Sequence, residues 1–73
     1  MDAKEAALIA KNYFTEIRGS NYFIFEASRI EQKENIWSVD CEVEAVFGKK
    51  EVKKYAILIN NDDGTILDVL RND

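Results

Sequence analysis

The chain has 73 residues, 47% of them hydrophobic and 33% charged, a balance that fits one folded domain over residues 1–73 and is too apolar for a disordered tail. Its 10 basic and 14 acidic residues give a formal charge of −4, the wrong sign for a protein that binds nucleic acid by neutralising phosphates. A single cysteine and the absence of histidine exclude an intrachain disulfide and leave no imidazole for a metal site, so a core of this size, worth roughly 3–5 kcal/mol, would gain most from a partner or from dimerisation.

At the N-terminal end, MDAKEAALIAKNYF sets charges among its apolar positions. It reads as neither a signal peptide nor a membrane span, and a cytoplasmic location is expected. Asp2 and Glu5 have the spacing of a capping box, in which a carboxylate accepts from the free amides of a helix start. At about 100° per residue, Ala3, Ala6, Ala7, Ala10, Tyr13, Phe14 and Ile17 share one stripe. This predicts an amphipathic helix, closest to its sheet at the alanine end and closed after Arg18 by Gly19. Leu8 falls on its polar side and Ile9 on the margin of the stripe.

NYFIFEASRI, residues 21–30, has the aromatic and β-branched content of a strand. Phe23, Phe25 and Ala27 are expected to face inward, because the opposite choice buries Glu26 without a partner. EQKEN, residues 31–35, is read as a polar connection. IWSVDCEVEAVF, residues 36–47, carries the clearest alternation in the chain, with Trp37, Val39, Cys41, Val43, Ala45 and Phe47 on one face and Ser38, Asp40, Glu42, Glu44 and Val46 on the other. Two more strands follow, VKKYAILIN and TILDVLR, after the connections GKKE and NDDG.

Register is argued from burial, since a one-residue slip turns every side chain over. Pairing Asn61 with Thr65 across Asp62-Asp63-Gly64 sets Ile59 opposite Leu67 and Ile57 opposite Val69, all inward. Pairing Phe47 with Glu51 sets Val43 opposite Tyr55, Cys41 opposite Ile57 and Val39 opposite Ile59, with Glu44 meeting Lys54 outside. The fold class expected is α+β: an N-terminal helix packed on one face of a four-stranded antiparallel meander, in the order α-β-β-β-β.

The residues that could carry chemistry have plainer readings. Cys41 sits inward between valines, with no histidine to activate it. Asp40, Glu42 and Glu44 form an acidic row on an open sheet face, where little desolvates them. NNDDGTILD fails as a calcium loop, because placing Gly64 at the conserved-glycine position puts Ile59 and Leu70 at ligand positions. Lys49, Lys50, Lys53 and Lys54 are interleaved with Glu51 and face an acidic strand, as ordinary surface charge does. No catalytic, metal-ligating or cofactor-binding residue is assigned.

What exceeds a solvated surface is the face turned away from the helix. In this register it carries Ile24, Val46, Val52, Leu58, Ile66 and Leu70, with Tyr22 and Ala56 beside them, an apolar patch that suggests association. A free edge strand offers a second route. An alternative is an apolar-ligand pocket between helix and sheet, lined by Tyr13, Phe14, Phe23, Phe25 and Trp37.

Trp37-Ser38-Val39, the strand Tyr55 to Ile59, and Asp63-Gly64-Thr65-Ile66-Leu67 resemble the PepSY family and, more loosely, the cystatin-like arrangement of a helix on an antiparallel sheet. Trp37, Val39, Tyr55, Gly64 and Arg71 are also similar to the gas-vesicle accessory O proteins. The PepSY resemblance implies a non-catalytic module, in that family often connected with protease inhibition or regulation, and it transfers no site residue. The expectation is a small non-catalytic interaction or regulatory module that binds a protein partner or forms a homodimer.

Overall fold

A computed structural model describes residues 1–18, 23–45 and 51–72. Among these residues one helix, α1 (Ala3–Arg18), precedes four strands, β1 (Phe23–Lys33), β2 (Ile36–Ala45), β3 (Val52–Asn60) and β4 (Ile66–Arg71). The strands form one antiparallel sheet in the order β1-β2-β3-β4, so the α+β meander is as expected. Among the described residues no helix is long and apolar enough to cross a membrane.

The helix starts where its cap predicts: the Glu5 amide donates to Asp2 Oδ1 at 2.8 Å, satisfying one of the free amides of the first turn. Ala6, Ala10 and Phe14 are buried, with Ile9 and Tyr13 packed beside them. The buried stripe is therefore turned from the one predicted. Ile9 joins the core, and Ala3 and Ile17 are exposed. The small alanines admit the helix closely to the sheet, and Phe14 fills the wider space beyond them, its ring 5.0 Å from that of Tyr55 and 6.1 Å from that of Phe25. The helix closure at Gly19 lies outside the described residues.

The inner face of the sheet is centred on β2 and β3, where Val39, Cys41, Val43, Ile57 and Ile59 are almost fully buried. Burying a side chain such as Val39 or Ile57 stabilises the fold by roughly 1.5–3 kcal/mol.

Three details of register differ from expectation. First, β1 runs on to Lys33, and Glu34-Asn35 makes a two-residue turn with Glu34 at φ 57°. Within β1, Ala27 pairs with Cys41 but Arg29 with Asp40, so Ser28 is an extra residue. Its hydroxyl donates to the Asp40 carbonyl at 3.1 Å. The bulge reverses the alternation and brings Ile30 onto the core side.

Second, β2 and β3 pair two residues away from the predicted register: Val39 opposite Ile57, Cys41 opposite Tyr55, Trp37 opposite Ile59. An even slip leaves every side chain on its predicted face. Glu42, not Glu44, therefore lies opposite Lys54, with carboxylate and ammonium 3.8 Å apart. The pairing is held at the other end of the strands, where the Asn61 amide donates to the Asn35 carbonyl at 2.9 Å. The predicted turn at Gly48-Lys49-Lys50, with Phe47, lies outside the described residues.

Third, Asn60 rather than Asn61 closes the β3–β4 loop, its amide donating to the Thr65 carbonyl at 2.8 Å. Ile59 then faces Ile66, and a bulge at Leu67 restores the predicted pairing of Ile57 with Val69. This corrects two residues: Ile66 packs against the core, and Leu67 is 50% exposed. The physical cause is side-chain competition for the loop backbone. Asn60 Oδ1 accepts from the Asp62 amide at 2.8 Å and Asp63 Oδ1 from the Thr65 amide at 2.9 Å, turns that favour a longer loop. Gly64 closes it at φ 74°, where a Cβ would stand 3.2 Å from Ile9 Cδ1 and 3.3 Å from Met1 Cε.

Candidate docking surface

The cross-strand pairs lay out the outer face as rows. Ile24, Glu44 and Val52 form one row, and Glu26, Glu42 and Lys54 the next. Arg29, Asp40, Ala56 and Leu70 follow, then Glu31, Ser38, Leu58 and Asp68, and finally Lys33, Ile36 and Asn60.

Two apolar areas emerge from this arrangement. Ile24 and Val52, 55% and 47% exposed, flank Glu44 at one end. A diagonal band runs from Leu70 across Ala56 and Leu58 to Ile36, with Leu70 46% and Ile36 39% exposed. Along this band Ala56 is buried by its neighbours, and Leu58 and Ile36 border a shallow groove of about 440 Å³ with Glu31, Lys33, Glu34 and Ser38.

Of the six predicted interface residues, Ile24, Val52, Leu58 and Leu70 lie on this face. Ile66 is on the core side, and Val46 lies outside the described residues. Ile36 was missed, although its place directly before the inward Trp37 assigns it to the outer face by alternation alone.

Charge on this face is uneven. Among the described residues, Glu26, Glu31, Asp40, Glu42, Glu44 and Asp68 outnumber Arg29, Lys33 and Lys54. Arg29 forms an ion pair with Glu31, and Lys54 lies beside Glu42. Glu26 stands directly opposite Glu42, an arrangement of like charges that costs stability.

The other candidates resolve into structural roles. Cys41 is buried on the inner face, where burial, with a smaller contribution from the Asp40 charge, pushes its thiol up to about 11. A nucleophilic thiolate needs the opposite shift. Among the described residues no group of three or more His, Cys, Asp or Glu is placed to hold a metal ion. Asp62 accepts from Asn35 Nδ2 at 2.7 Å, and the bond from the Thr65 amide holds the Asp63 carboxyl below its ordinary range. The lysine cluster divides: Lys54 is outside, Lys53 lies opposite the inward Val43, and Lys49 and Lys50 are outside the described residues.

The residues proposed to line an apolar pocket are not gathered in one place. Phe14 and Phe25 are in ring contact, but Trp37 is six residues along β2 from Val43, the partner of Phe25, roughly 20 Å at 3.3 Å per residue. Trp37 belongs to a different cluster, its indole nitrogen donating to Asn61 Oδ1 at 2.7 Å. Asn35 and Asn61 complete that cluster and went unnoticed in the sequence, where each reads as a turn residue.

The positions behind the family resemblance have the same structural character. Trp37 anchors Asn61, Tyr55 packs on Phe14, and Gly64 supplies a left-handed turn. Comparison with protein families, curated proteins and solved structures returns no match.

Proposed function

We propose that this chain is a non-catalytic protein-interaction module that docks a partner on the outer face of its sheet. The observation that carries this reading is the asymmetry of the sheet. Helix α1 packs on one face, while the other presents Ile24, Val52, Ile36 and Leu70 with 39–55% of their surface exposed. Apolar side chains grouped on a face of this size are characteristic of association surfaces.

The edge strands β1 and β4 are a second route by which a chain could add to the sheet. Photo-crosslinkers placed beside Leu58 on the outer face, on the free edges of β1 and β4, and beside Leu8 on the helix separate these surfaces. Specific partner crosslinks at Leu58, lost in Leu70→Ser and weak at Leu8, are the expected result. Crosslinking confined to the β1 or β4 edge would refute the face as the docking site.

A further inference from the structure

Resting on that reading, we infer that the segment seated on the outer face is a basic amphipathic helix rather than a second copy of this chain. The shape of the apolar band fits a helix. From Leu70 on β4 to Ile36 on β2 the band crosses two strand spacings and four residues of strand length, a diagonal of roughly 16 Å. About three helical turns cover that distance, so apolar residues at i, i+4, i+7 and i+11 of a partner helix would follow the band. The small side chain of Ala56 lies along its course. A helix laid there would complete a three-layer arrangement, with the sheet between two helices.

Charge selects the sign of the partner. Among the described residues acidic side chains outnumber basic ones on the face, and two of the three bases are already beside an acid. Asp40, opposite Ala56, and Asp68, opposite Leu58, border the band, and Glu42 stands one row beyond Asp40. Lysine or arginine on the flanks of a docked helix would neutralise this excess. A second copy would instead bring one acidic face against another, and like-charge juxtaposition disfavours association.

The test uses the full chain, ¹⁵N-labelled, and three synthetic helical peptides of about five turns. One carries leucine on one face and lysine on the other, one leucine and glutamate, and one lysine and serine. The leucine–lysine peptide is expected to shift the amides of Asp40, Glu42, Leu58 and Leu70 and to bind about tenfold more tightly than either of the others. Its affinity falls several-fold in Asp40→Asn/Asp68→Asn and again as salt rises from about 50 to 500 mM.

Equal binding of the leucine–glutamate peptide on the same amides would overturn the charge assignment and leave the docking face standing. Equal binding of the lysine–serine peptide would reduce the interaction to plain charge attraction and overturn the amphipathic one. Shifts confined to α1 or a sheet edge, or no binding by any peptide, would remove both the inference and the face. A dimer in light scattering that Leu70→Ser dissociates would make a second copy the occupant and overturn the inference.

Discussion

The two faces of β2 are built from alternate residues of one short segment and do different work. Val39, Cys41 and Val43 lie in a dry interior under α1, whereas Asp40, Glu42 and Glu44 stand among exposed apolar neighbours on the opposite side. The inner face holds the buried core, while Ile24, Ile36, Val52 and Leu70 on the outer face keep 39–55% of their surface exposed. Stability should follow one row and association the other.

Alkaline pH gives the largest separation of the two rows. The thiol of Cys41 is raised from 9.0 to about 11 in the folded chain. Between these values the unfolded chain ionises its thiol and the folded one does not. This contribution is complete below about pH 9 and is lost as pH rises towards 11, at about 1.4 kcal/mol per pH unit, or roughly 2–3 kcal/mol in all. Urea unfolding at the two ends of this window should show a steeper loss for the parent than for Cys41→Ala.

Gly64→Ala probes the place where the helix meets the sheet end. An alanine there must hold a left-handed φ and press on Ile9 and Met1, and a loss of about 2 kcal/mol is expected in chemical denaturation. Asn61→Ala removes the acceptor of the Trp37 indole and should cost about 1–2 kcal/mol, accompanied by a change in the near-ultraviolet dichroism of Trp37. The smallest effect has the opposite sign. Glu34 occupies φ 57° without being glycine, so Glu34→Gly should raise stability by about 0.5–1 kcal/mol, the relief of strain exceeding the added entropy of the unfolded chain.

These residues also show how far the sequence could be read. Alternation in 36–45 identified the faces of β2, and the Asp2 cap located the helix start, because both signals are local. Alternation reports only odd against even, however, so the two-residue slip between β2 and β3 left it unchanged. The bulges at Ser28 and Leu67 change that parity, and they depend on hydrogen bonds to distant backbone or on the geometry of a loop. This is why Ile66 is expected outside and Leu67 inside, and why alternation assigns no inward place to Ile30. The outer-face positions of Ile24, Val52, Leu58 and Leu70 were legible from parity. The Asn35–Asn61–Trp37 cluster was not, because it joins turns 26 residues apart.

Ile57 and Leu58 test the division of labour most directly, being neighbours on β3 that point to opposite faces. Ile57 is fully buried on the inner face, and Leu58 lies on the outer apolar band. The measurement is denaturant unfolding of Ile57→Ala and Leu58→Ala at low protein concentration. Ile57→Ala should lose about 2–5 kcal/mol, enough to leave little folded protein, and Leu58→Ala no more than about 1 kcal/mol. Equal losses at the two positions would contradict the account, since the outer face would then be part of what holds the chain together.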